Sequence, residues 1–400
     1  MNTDEDIKTS EIIEKFDEEA TAKKKLKPWN LKLIAFIAIS WSLFQLWYAS
    51  PLPFILDFGK LIDVPARAIH LAFGLTLCFL IYPSFKNQKK TKISIIDFAL
   101  VIFAIITTFY LFIDYEGLVD RQGILAKFKI GTLVIPYEVI LGSIGIVLLL
   151  EATRRAIGLP LVIVALVFLL FSIFGQLMPD LISHQGLSIK RLVGYHWFGG
   201  EAIFGIPISV SVSFIFLFVL FGAILDVAGG GKYFLNLAFA LVGRMRGGPA
   251  KAAILASGLT GLISGSSVAN TVTTGTFTIP IMKKSGLPAV KAGAIEVAAS
   301  VNGQIMPPIM GAAAFVMAEL LGTSYFTIIK HAFLPAVISY IALFYISHLE
   351  SVKLGLKGLP ESEIPPLGKT FLSGLHFLIP IFILVYLLLI ERWTAASAIF

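Results

Sequence analysis

Two uncharged runs carry the residue types that could do chemistry. Ser264-Gly265-Ser266-Ser267-Val268-Ala269-Asn270 offers hydroxyls, an amide and glycine-exposed backbone. Asn302-Gly303-Gln304-Ile305-Met306-Pro307-Pro308 offers two more amides, and its prolines remove backbone donors and clash with the preceding turn, which frees carbonyls. Oxygen ligands without a carboxylate suit a hard cation such as sodium. Free N–H groups at a half-helix N-terminus suit an anion. Together the runs predict a cation site beside an anion site. Packing is the competing explanation, because Gly261 and Gly265 have the spacing of a helix contact.

Glu296 is the clearest carboxylate inside an apolar segment. Such a residue is either functional or paired with a cation at the inner interface, and both readings stand. Glu138, Glu319 and Lys330 lie nearer segment ends, where snorkelling or loop solvation is expected.

The elements that must position these residues follow from composition. The chain has 400 residues, 57% hydrophobic and 14% charged, with a mean hydropathy of +0.87. A soluble domain carries about 25% charged residues, so this is a polytopic membrane protein and the net charge of +7 is a loop bias, not affinity for nucleic acid. Cys78 is the sole cysteine, which excludes an intrachain disulfide and any cysteine-based metal cluster. There is no HExxH motif, and Asp226 and Tyr233 stand where a phosphate loop needs Gly and Ser or Thr. No enzyme chemistry, metal centre or cofactor is expected.

Residues 1–27 read as a polar cytoplasmic tail with no signal peptide; Ser10 is a candidate helix cap. Spans are expected at 31–48, 64–82, 93–113 and 133–150, joined by a mixed outer loop (Asp57, Lys60, Asp63), the inner basic cluster Lys86, Lys89, Lys90, Lys92 and an acidic outer loop (Asp114, Glu116, Asp120), and ending at Arg154 and Arg155. Further spans are expected at 158–177, 206–227, 325–347 and 371–390, with an interfacial aromatic segment around Trp197 and an amphipathic surface helix at 232–246.

Residues 252–282 contain no charge, exceed the roughly 20 residues of one crossing, and have basic residues at both ends: Arg244, Arg246 and Lys251 before, Lys283 and Lys284 after. Basic flanks mark the cytoplasmic side. A segment with two inside ends is a re-entrant hairpin, with a polar tip that must be buried or face a wet cavity. The next helix breaks at 302–308 and resumes at Ile309. The chain ends in a short apolar run, 394–400, and is expected to be incomplete there.

The runs SGSSVANTVTTGTFTIPIMKKSGLP at 264–288 and NGQIMPPIMGAAAFVMAELLG at 302–322 resemble the large membrane subunit of tripartite ATP-independent periplasmic (TRAP) transporters. The subtype most resembled has fused small and large subunits and a binding protein of the TAXI group. The resemblance implies a sodium- (or proton-) coupled importer of a small organic anion, an extracytoplasmic binding protein as partner, and an elevator-type transport domain of two inverted repeats, of which this chain holds the first. It divides the chain into a small-subunit-like module at 28–155 and a large-subunit-like part at 156–400, in an inner membrane with a cytoplasmic N-terminus. By position, Ser264, Gly265, Ser266, Ser267 and Asn270 fall on the family's hairpin tip, and Gly303, Met306 and Pro307 on its broken helix; Asn302 and Gln304 join them from the residue reading. Ser264, Ser266, Ser267, Asn270 and Gly303 are the sodium candidates, and Glu296 a possible coupling carboxylate. Ile309 stands where many members have Ser after the two prolines, so substrate contacts do not transfer. A carrier working without a binding protein and a non-transporting scaffold are the alternatives.

Overall fold

The computed structural model describes residues 26–84, 93–130 and 132–400. Ser10 and the lysines at 86–92 lie outside the described residues. Among the described residues, five helices are long and apolar enough to cross a membrane: α1 (Pro28–Ala49), α2 (Asp63–Ile81), α3 (Ile95–Ile113), the segment Ile206–Val227, and Tyr325–Lys353. The pair Glu361–Ser373 and Leu375–Leu389, bent by 57°, makes a sixth if counted as one span. The chain packs as two compact units that meet in sequence at Val212–Ser213. This is a division by packing, whereas 155/156 is a division by family order.

In the first unit the expected span at 133–150 begins differently. Strands β1 (Phe128–Ile130) and β2 (Leu133–Ile135) form a two-stranded antiparallel hairpin, and the helix α4 starts after Pro136 as Tyr137–Ala156. The short helix α5 (Leu159–Ile173) follows, with Val167, Phe168 and Leu170 exposed as a lipid-facing side requires.

α2, α3 and α4 share a core built from Leu71, Leu75, Phe79, Ala104, Leu111 and Leu148. Trp197 does not lie at an interface. It is fully buried in that core, in a slot left by Gly142 and Gly145, where a Cβ at Gly145 would meet the indole at 2.3 Å. Both ends of α4 carry buried charge. Glu138 neither snorkels nor sits in a solvated loop: its carboxylate is fully buried, 2.6 Å from Arg121 and 2.5 Å from the Tyr110 hydroxyl, and accepts from the Ala126 N–H. Arg121 also hydrogen-bonds Asp114 in the loop after α3, which holds that carboxyl below its usual range.

The second unit opens with α6 (Phe216–Val227). Gly229, at φ +107°, lets the chain turn into α7 (Gly230–Val242). The amphipathic segment expected on a membrane surface lays Phe234, Leu237, Ala238 and Phe239 down as a buried face, packed against the next helix. That helix is α8 (Gly248–Ser264). It ends at Gly265, φ +59°, and the chain reverses into α9 (Ser267–Lys284).

α10 (Ala289–Gly303) packs against both arms of this hairpin. The contact faces are rich in small residues, with Ala253, Ala292 and Ala299 all fully buried, so the backbones approach closely. An irregular stretch then leads to α11 (Ala312–Leu320) and α12 (Tyr325–Lys353), where Phe315 stacks on Tyr325 at 4.2 Å. α13 (Leu375–Leu389) completes the unit's long helices.

Candidate functional site

The hairpin tip and the helix break meet through glycines. A Cβ at Gly261 would stand 2.8 Å from the Cα of Gly303, and one at Gly265 would stand 2.9 Å from the Met310 carbonyl oxygen. Met310 itself has φ +58°. Ser266 caps α9 by accepting from the Ala269 N–H at 3.3 Å, which leaves the positive end of that helix at the tip. Here a cavity of about 440 Å³ opens, with Gly265, Ser266 and Gln304 among its walls and Phe218, Met310 and Phe315 as apolar lining. One polar helix start in a mostly apolar hollow suits a small ligand with one anionic group.

The structure distributes the other expected residues. Met306 and Pro307 face the opposite side of the break, lining a cavity of about 730 Å³ with Tyr340, Phe344, Lys251 and His348. Gly303 is buried against Gly261, Asn302 is half-buried in the last turn of α10, and Ser267 is half-buried in the first turn of α9. Ser264 closes α8; its side chain lies outside the described residues. The break is also tied down. Gln304 accepts from the Gly311 N–H at 2.7 Å, and the carbonyls of Pro308 and Ile309 accept from the Tyr325 hydroxyl. These oxygens each keep one lone pair for another partner.

Asn270 turns inward and staples the two hairpin arms. Its Nδ2 donates to the Ser257 carbonyl at 2.8 Å and lies 2.9 Å from the Ser257 hydroxyl, while its Oδ1 accepts from Thr260 at 2.7 Å. The side chain is 1% exposed, beside a smaller cavity of about 220 Å³ that also holds Asp226 and Thr273. Asn270→Ala removes these buried inter-arm hydrogen bonds, each worth about 0.5–1.5 kcal/mol net. The expected outcome is a lower melting temperature of the purified permease; an unchanged one would mean the staple is dispensable.

Glu296 is fully buried, and among the described residues no lysine or arginine pairs with it. Its partners are hydroxyls: Thr274 on Oε1, Thr278 at 2.5 Å on Oε2, and Ser300 at 3.4 Å. Ser300 in turn lies 3.0 Å from Ser257, so a continuous buried polar seam joins Glu296 to Asn270 and Thr260. Sequence reading missed Ser257, Thr260, Thr274, Thr278 and Ser300. The available signal was their spacing of three or four residues, which puts Ser257 with Thr260, Thr274 with Thr278, and Glu296 with Ser300 on single helix faces.

Long apolar helices and a polar seam around a reversed hairpin define a polytopic α-helical membrane protein. The chain belongs to the tripartite ATP-independent periplasmic transporter family, DctM component, whose family model matches residues 144–400. It is similar to "Uncharacterized protein YgiK" of Salmonella typhimurium, with 30% identity covering 62% of this chain and 53% of the relative. It is also similar to the 2,3-diketo-L-gulonate TRAP transporter large permease protein YiaN of Escherichia coli, 25% identical over 44% and 41% of the two chains. A third relative, the C4-dicarboxylate TRAP transporter large permease protein DctM of Pseudomonas aeruginosa, is 37% identical over 23% and 21%. The chain thus spans about half of the first relative's length and less of the others.

Proposed function

We propose that this chain is the membrane permease component of a binding-protein-dependent secondary importer that takes up a small organic anion with sodium as the coupling ion (protons being the other candidate). The observation that carries it is the meeting of a capped helix start, Ser266, with the broken helix at Gln304 around one cavity. Support for the substrate class comes from the carboxylates named for two relatives. On this reading the hairpin is re-entrant and forms, with the broken helix, the first of two inverted repeats of an elevator domain. Residues 28–155 act as its small-subunit part. The protein sits in the inner membrane with a cytoplasmic N-terminus, and a TAXI-type binding protein delivers the substrate.

The test is uptake into liposomes by the full-length permease with its binding protein. Uptake indifferent to both sodium and proton gradients would remove the coupling; uptake without the binding protein would favour a stand-alone carrier. Ser266→Ala is expected to raise the half-saturating sodium concentration about tenfold, the worth of one good polar contact. Unchanged sodium dependence would place the ion elsewhere.

A further inference from the structure

We propose that Glu296 is a reversible proton-binding site, separate from the hairpin-tip cavity, whose threonine cage satisfies the carboxyl group in both its charged and its neutral form. The inference rests on the transport reading and adds a second ion to it.

The Thr274 hydroxyl has a single proton and two acceptors in reach, Glu296 Oε1 and the Asn270 carbonyl at 2.7 Å. The Thr278 hydroxyl is placed the same way, with Glu296 Oε2 at 2.5 Å and the Thr274 carbonyl at 3.0 Å. When Glu296 is charged, both hydroxyls turn to the carboxylate, and each backbone carbonyl keeps its helical N–H partner. When a proton arrives on Oε2, that oxygen becomes a donor to the Thr278 hydroxyl, whose own proton swings to the Thr274 carbonyl, while Thr274 still donates to Oε1. No hydrogen bond is lost in either state, because only hydroxyl rotors move. A structural ion pair would instead hold the carboxylate charged with a fixed cation.

The surroundings make the site specific. Gly275 leaves room for the glutamate stem: a Cβ there would stand 3.2 Å from Glu296 Cγ. The helices packed against α10 are α8, α9 and α12. α8 and α9 present hydroxyls and Asn270 to the seam. Their charged residues are elsewhere: Lys251 contacts the Arg246 carbonyl and His348, and Lys283 and Lys284 end α9. From α12 the titratable group nearest is Tyr340, whose hydroxyl donates to the Ala299 carbonyl at 3.0 Å. On α10 itself Lys291 pairs with Glu350 of α12. Among the described residues no fixed cation reaches Glu296, and the two threonine hydroxyls that touch it suit a proton.

The experiment uses the full-length permease in liposomes with its binding protein. Substrate uptake is measured under an imposed pH gradient at equal sodium on both sides, and substrate exchange is measured against pH without gradients. Glu296→Gln places an amide whose oxygen accepts and whose nitrogen donates, as the neutral acid does, so it is expected to abolish the response to the pH gradient and to make exchange independent of pH. Glu319→Gln, at an exposed carboxylate, is expected to keep both responses. A pH response that survives in Glu296→Gln overturns the proposal. Uptake driven by sodium alone with no pH response also overturns it and leaves the proposed function standing; no uptake under either gradient overturns the proposed function instead.

The proton site has its own readout. Infrared difference spectra of the permease in nanodiscs between alkaline and acid pH are expected to show a hydrogen-bonded carboxylic-acid band that Glu296→Gln removes and Thr278→Val shifts. Absence of a band assignable in this way overturns the site whatever transport shows. Thr278→Val also serves where Glu296→Gln does not accumulate.

Discussion

Gly261→Val is expected to abolish uptake and to lower the melting temperature of the purified permease by more than any other single change in the hairpin. The added Cβ would lie 2.8 Å from the Cα of Gly303 and 3.4 Å from Asn270 Nδ2. The nearer neighbour is backbone, so it cannot rotate aside, and Asn270 is held by three partners. Overpacking of a tight contact costs about 1–3 kcal/mol and can exceed that when backbone must move. The displacement falls where the hairpin joins the broken helix, so function fails with stability. Gly303→Ala tests the same contact from the other side, at 3.0 Å from the Gly261 Cα. Gly293→Ala is the control: it lies in the same helix with nothing within 4 Å of the new Cβ, and alanine's helix preference gives it a gain of roughly 0.5–1 kcal/mol. If Gly261→Val and Gly293→Ala behaved alike in thermal unfolding and in uptake, the glycine contact would have no role.

Arg155→Ala is expected to be the most damaging change in the first unit, costing about 3–5 kcal/mol, as removal of one partner of a buried ion pair does. The Arg155 and Asp97 side chains are 1% and 0% exposed and 2.8 Å apart. Ser84 lies 2.6 Å from Asp97 and accepts from Arg155, Glu151 holds the guanidinium from the same helix, and Phe79 covers it at 5.0 Å. Without the guanidinium, Asp97 loses a buried cation 2.8 Å away, while Ser84 and the Ser94 N–H go on donating to it. Arg155→Met combined with Asp97→Asn removes both charges and is expected to recover much of the loss, since a neutral pair leaves no stranded ion. Accumulation in membranes and thermal unfolding in detergent read both variants. A double variant no more stable than Arg155→Ala alone would show that the arginine acts by packing rather than by charge.

Arg155 and Asp97 also show where sequence reading stops. The basic pair Arg154–Arg155 is legible as the end of a segment, but Asp97 is 58 residues away and reads only as an acid near a helix start. Glu138 was legible as a charge near a segment boundary. Its partners, Tyr110 and Arg121, come from other elements, so a boundary position that looks solvated is fully buried.

The sequence by itself determined the membrane class, most of the apolar segments, a reversal within 264–270 and a helix break around Pro307–Pro308, although the helix runs on to Gly303 and resumes at Ala312 rather than breaking at 302 and resuming at Ile309. Each of these depends on local facts: the length of an apolar run, its basic flanks, glycine's tolerance of positive φ and proline's missing donor. It also singled out Glu296, because a carboxylate in an apolar run needs a reason. The tertiary structure alone decided what those features face. Helical period fixes which residues share a face, but the facing neighbour depends on how small residues let helices approach. That approach turned Asn270 into the arms' staple, put Thr274 and Thr278 around Glu296, and set Gln304 and Met306 on opposite sides of one break.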